Sequence, residues 1–170
     1  MGIFPKKWFF LVLVPILALG GLSLWYLNRD SDEAQIRKTL RTLCDIASKR
    51  DNEKNAMGML KASGTDKVFA PECKIDFRHE MFVGTYTPAE LTSLLARSKG
   101  VLRSCEVSIR DLAVTVDSPE KASAVFTGLL DARMNDGKTV NEVRELYCTF
   151  RKIEDRWLID SMSVRDILEK

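Results

Sequence analysis

His79 is the sole histidine of the chain. It closes a run, Cys73 to His79, in which Ile75, Phe77 and His79 fall on one side of an extended segment. That is the period-two spacing of a half-buried strand. An imidazole carried to the open end of such a face titrates near neutral pH and can take a proton as a general base. Arg78 and Glu80 flank it, and the plain alternative is a solvated or structurally bonded ring. Glu142 and Arg144 alternate in the same way with Leu146, Cys148 and Phe150. On a concave face they would make a polar patch for an anionic or polar ligand. On a solvated face they are an ordinary ion pair. Asp76, with Arg133 or Arg144, has the same two readings. His79, Asp76, Arg144 and Glu142 are the candidate pocket residues, and they compose no recognisable catalytic set.

The four cysteines, Cys44, Cys73, Cys105 and Cys148, contain no CxxC pair. A zinc site would need ligands from the whole length of the chain, so neither a metal nor a cofactor is expected. In an oxidising compartment four cysteines allow three full pairings. Cys44 and Cys148 fall in apolar patterns and read as small core residues. Cys73 and Cys105 each open a strand and are the expected pair if one bridge forms. The formal net charge is +2, with both signs interleaved. No basic block offers a footprint for nucleic acid.

The elements that must position these groups begin after an uncharged run, Trp8 to Leu27. At about 20 residues it is long enough to cross a bilayer as a helix. Lys6 and Lys7 precede it, which keeps the N-terminus in the cytoplasm and the rest of the chain outside. Trp8, Trp25 and Tyr26 sit at its ends, where amphipathic rings favour the interface. Ala18-Leu19-Gly20 resembles a cleavage site, but the apolar run continues past it, so an uncleaved signal-anchor is expected. The expected divisions are a cytoplasmic tail over 1–7, the membrane helix over 8–27 and one extracytoplasmic domain over 31–170.

Asp30 with Glu33 makes a capping box for the first helix. Ile36, Leu40, Leu43, Cys44 and Ala47 follow at helical spacing. A second helical region lies within residues 52–69, weakened by Gly58 and Gly64 and stopped by Ala70-Pro71. Strands follow over 73–79 and 81–86. Thr87 caps a helix with Pro88 at its first position, ending at Gly100. Four long strands then cover 103–117, 120–134, 138–153 and 156–166. Asp117-Ser118-Pro119-Glu120, Asn135-Asp136-Gly137-Lys138 and Glu154-Asp155 are the turns. Val107 and Ile109 alternate in one register and Leu112, Val114 and Val116 in the other, a slip at Arg110-Asp111 that a β-bulge produces. Trp157 and Ile159, then Met162 and Val164, repeat it. Two bulges bend a sheet strongly. The expected fold class is α+β: a bent antiparallel sheet of about six strands around three N-terminal helices.

This order resembles the nuclear transport factor 2-like superfamily, the SnoaL-like or cystatin-like α+β folds. The likeness rests on Phe69-Ala70-Pro71-Glu72, on Ile75-Asp76-Phe77, on the passage from Gly84 to Ala89-Glu90-Leu91, and on the closing Asp155-Arg156-Trp157-Leu158-Ile159-Asp160-Ser161. It covers residues 31–166. The superfamily holds isomerases, dehydratases, cyclases and many non-enzymatic members, so the fold does not choose a function. The resemblance implies that an enzyme of this kind would carry an aspartate or histidine base with a tyrosine or second acid inside the cone, and no clear match stands here. It also implies a convex sheet face suited to dimers, where Tyr147 falls. Membrane-anchored members serve as secretion-system assembly subunits and lipid-transporter accessories, and this layout is similar to theirs. The expected role is a non-enzymatic scaffold or accessory subunit of an envelope complex, with a protein partner and a homodimer through the sheet as its contacts. The alternative is a ligand-binding or isomerase/dehydratase-type enzyme using the cone pocket.

Overall fold

The computed structural model describes residues 32–51, 53, 63–77 and 82–165. Among them no helix is long and apolar enough to cross a membrane. The run over 8–27, Asp30 and His79 all lie outside the described residues.

Helix α1 occupies residues 32–47. Ile36, Leu40 and Ile46 are buried and Leu43 packs beside them, the stripe expected of a helix with one face on a core. The expected capping box begins at Asp30 and so lies outside the described residues. Glu33 accepts both hydrogen bonds of the Arg37 guanidinium, at 2.9 and 2.7 Å, so its carboxylate is turned along the helix. A short 3-10 helix at Ser63–Lys67 replaces the last part of the expected second helix. Strand β1, Phe69–Phe77, then starts four residues before the sequence reading placed it. Val68, Phe69 and Ala70 are all buried, and the Val68 carbonyl accepts from the Ile159 N–H at 2.8 Å. Pairing into the sheet outweighs the local stop signal of Pro71. The missing N–H of Pro71 falls where the ladder skips, between Phe69 and Lys74.

Strand β2 is Phe82–Tyr86 and helix α2 is Pro88–Val101. Thr87 and Glu90 form the capping box, with the Thr87 N–H and hydroxyl both reaching Oε2 of Glu90. That backbone N–H holds the Glu90 carboxyl below its usual range. Gly100 does not end the helix. The cap is Leu102, in extended backbone. The last carbonyls are satisfied from outside: Lys49 Nζ donates to Lys99 O at 2.7 Å and to Leu102 O at 2.6 Å, and Asn135 Nδ2 to Gly100 O at 2.9 Å. A left-handed glycine is unnecessary when side chains do this work.

Strands β3 (Leu102–Ser118), β4 (Lys121–Met134), β5 (Thr139–Ile153) and β6 (Arg156–Val164) form the meander. The sheet order is β2-β1-β6-β5-β4-β3. One correction concerns direction: β1 runs parallel to β6, so the sheet is mixed. The chain leaves β1 through β2 and α2 and returns four strands later on the other side of β1. Both bulges are present. The first skips between Arg110 and Ala113, with Asp111 left-handed at φ 52°. The second sets Asp160 aside between Ile159 and Ser161. Glu154 and Asp155, both left-handed, close the last hairpin.

The inner face carries Ala122, Ala124 and Phe126 of β4, Cys148 and Phe150 of β5, and Trp157, Ile159 and Met162 of β6. Ile36 and Leu40 of α1 and Leu91 of α2 pack in the same core. Two helices and the 3-10 turn are seen among the described residues; positions 52 and 54–62 of the expected second helical region lie outside them.

Candidate functional site

The inner face of β5 is polar at one end and apolar at the other. Glu142 and Arg144 do lie on the face of Cys148 and Phe150, opposite Leu130 and Gly128 of β4. They bond to each other, with Arg144 Nε and Nη2 both 2.9 Å from Oε2 of Glu142, and both are partly open to solvent. A Cβ on Gly128 would stand 2.9 Å from Cδ1 of Leu146, so the bare glycine leaves room for the leucine beside Arg144. Asp76 does not join them. It pairs with Val83 and Ser163, and its neighbour Ile75 is the residue turned into the core. Successive strand residues face opposite sides. Strands β6 and β5 also separate β1 from Arg133 on β4.

The deepest part of the cone is occupied by side chains. Phe126 and Phe150 are each 2% exposed and Trp157 1%. Trp157 brings a polar atom into this core, and the sequence reading had no partner for it. Asp32, at the start of α1, supplies one: its Oδ1 accepts from the indole Nε1 at 2.9 Å and from Lys152 Nζ at 2.9 Å. The Lys152 ammonium also lies 5.6 Å from the ring centroid. Lys152 shares the parity of Phe150, and that alternation was the available signal for a cation aimed inward.

The cysteines do not bridge. Cys73 and Cys105 lie on β1 and β3, four strands apart. Burial, with help from the Asp160 carboxylate, pushes the Cys73 thiol up to about 12. Burial raises Cys148 further, and it raises Cys44 and Cys105 as well. All four are protonated at neutral pH and none is a ready nucleophile.

Two open features surround this closed interior. One is a groove of about 560 Å³ between α1 and β3, with Leu40, Cys44, Ile109 and Leu112 along it and Arg41 and Arg110 at its sides. The other is the outer face of the sheet. Cross-strand pairs Val125–Tyr147 and Leu129–Val143 lie there, with the polar pair Thr127–Glu145 between them. Val143 is 65% exposed and Tyr147 36%. Among the described residues no three histidine, cysteine or carboxylate side chains gather as a metal site would need.

No protein-family profile matches the chain, and no curated protein does. Solved structures do. A protein from Kribbella flavida is 19% identical over 84% of this chain and 95% of its own, with a TM-score of 0.68. An NTF2-like protein with a cystatin-like fold from Novosphingobium aromaticivorans is 15% identical over 86% of this chain and 89% of its own, at 0.60. A type 2 hexachlorocyclohexane dehydrochlorinase (LinA) is 12% identical over 82% of this chain and 87% of its own, at 0.63. At these identities the likeness is one of fold, and the fold is the nuclear transport factor 2-like α+β cone.

Proposed function

We propose that this chain is a membrane-anchored, non-enzymatic accessory subunit of an envelope complex, which uses the outer face of its sheet to hold a protein partner. The observation that carries this reading is the exposure of Val143 and Tyr147, each paired with an apolar residue of β4 on either side of Thr127–Glu145, on a face with no helix of its own among the described residues. Exposed large apolar side chains set among polar ones on one face are a feature of interaction surfaces. The packing of Phe126, Phe150 and Trp157 in the deep end of the cone and the four protonated thiols support this reading. The uncharged run at 8–27, with Lys6 and Lys7 before it, supports an anchor with the domain on the extracytoplasmic side.

The test is purification of the full chain from its native membranes, with and without Val143→Arg. Alkaline carbonate should leave the chain in the membrane pellet. A partner, or a second copy of the chain, should co-purify with the wild type and be lost from the variant. Release by carbonate would sink the anchor, and an unchanged set of co-purifying proteins would sink the docking face.

A second reading has its own support. The groove between α1 and β3 has an apolar floor with arginines beside it, and one solved neighbour of the same fold is a dehydrochlorinase. A small ligand in that groove, with Arg41 or Arg110 on its polar end, is the form an enzymatic or ligand-binding role would take. Co-purification of a small molecule with a partner-free chain would favour it.

A further inference from the structure

On the other side of α1 lies a smaller groove of about 430 Å³, bounded by α1, the 3-10 turn and the start of β6. Three elements each send one cation into its wall: Lys38 from α1, Lys67 from the last position of the 3-10 turn and Arg156 from the first position of β6. Among the described residues no carboxylate lines it. Some cations of this domain are matched, as Arg37 is by Glu33 and Arg151 by Asp160, both at 2.7 Å, and Lys152 by Asp32, whereas others, such as Lys74 and Lys121, stand singly on the sheet without an ion pair among the described residues. Among the described residues Lys38 and Lys67 have no carboxylate within ion-pair distance. Arg156 reaches only Glu154, at 3.7 Å, in the turn before it. The threonine hydroxyls are already spent as donors, Thr39 on Trp157 O and Thr42 on Lys38 O, which leaves the cations and the Gln35 amide to meet a ligand.

A cleft lined by one sign of charge focuses its field and concentrates the opposite ion. Three cations match a multiply charged oxyanion better than a single carboxylate, and the arginine fork suits phosphate oxygens. The groove is larger than a bare phosphate needs and falls in the range of small-molecule sites. We propose that it binds a phosphate-bearing ligand through Lys38, Lys67 and Arg156. Two sources share that chemistry: a soluble phosphorylated compound and a lipid headgroup. Lys38 lies about 9 Å along α1 from residue 32 at the helical rise. The proposal concerns the described domain and does not depend on the anchor.

Titration calorimetry of the full chain in phosphatidylcholine nanodiscs, with inorganic pyrophosphate as probe, tests it. Saturable binding is expected, at least about tenfold weaker in Lys38→Glu/Lys67→Glu. The control Lys74→Glu/Lys121→Glu changes net charge equally, away from the groove, and should bind like the wild type. Lys67→Gln, which reverses no charge, should weaken binding by about threefold or more and serves if the double variant fails to fold. Absence of saturable binding, or an equal loss in the control, overturns the proposal. In phosphatidylglycerol nanodiscs a lost pyrophosphate affinity assigns the groove to a lipid headgroup. An unchanged one assigns it to a soluble phosphate. Either supports the shared chemistry.

Discussion

The Trp157 indole N–H donates to the Asp32 carboxylate at 2.9 Å, joining the first described residue of α1 to the first inward residue of β6 across 125 positions of sequence. The same oxygen holds the Lys152 ammonium, and the two charged side chains are only 6% and 17% exposed. Removing the acid leaves a buried indole donor and a largely buried cation without their acceptor. Asp32→Ala should therefore cost about 2–4 kcal/mol, read by denaturant unfolding. Asp32→Ala with Lys152→Met should recover part of the loss, because no unpaired charge remains. Equal losses in the single and double variants would show that the ion pair is not what matters.

Phe126 tests whether the cone is packed. It is 2% exposed on β4, facing the interior. Phe126→Ala should cost about 3–5 kcal/mol and leave an apolar cavity. Benzene or xenon should then raise the melting temperature of the variant and leave that of the wild type unchanged. A wild type that responds as strongly would mean the interior already has room for a ligand, which would favour the enzymatic reading.

The buried thiols set an alkaline limit. In the unfolded chain a cysteine loses its proton near 9, and in the fold Cys73 keeps its proton until about 12. Between these values the folded state binds more protons than the unfolded one, so stability falls as pH rises. Unfolding midpoints measured from pH 8 to 11 should decline, and less steeply in Cys73→Val. A thiol reagent at pH 8 should reach Cys73 and Cys148 only after denaturation. Fast labelling of either in the native protein would contradict their burial.

Lys49 fastens three elements at once. Its backbone N–H and carbonyl pair with Cys105, at 2.7 and 2.8 Å, and its ammonium caps the carbonyls of Lys99 and Leu102. Lys49→Met keeps the backbone pairing and removes the cap, at a cost of about 1–2 kcal/mol. Hydrogen exchange should speed up in the last turn of α2 and at the start of β3, with the far end of β4 unchanged. Uniform loss of protection would argue for a general rather than a local role.

Much of the fold was legible because it depends on local chemistry. Asn135-Asp136-Gly137 turns where glycine at φ 89° is needed, and the slip at Arg110-Asp111 is visible in the alternation of Val107, Ile109, Leu112 and Val114. Thr87, Pro88 and Glu90 begin a helix through groups within three residues of each other. The candidate site was legible only in part. The parity of Glu142 and Arg144 places both on the inner face, yet it does not show that they satisfy each other. Asp76 shows the limit of parity most clearly, since it alternates away from Ile75 and sits two strands from Arg144 and three from Arg133.

By itself the sequence determined the order of elements, the turns, the bulges and the alternation of buried and exposed side chains, because each depends on residues near one another along the chain. Only the tertiary structure decided that β1 lies parallel to β6, that Phe69 joins the sheet despite Pro71, and that Asp32 closes on Trp157. These depend on groups brought together from distant positions, where the burial of one side chain and the hydrogen-bond needs of another are settled jointly. The same convergence placed Lys38, Lys67 and Arg156 along one groove, although in sequence each reads as an ordinary surface cation.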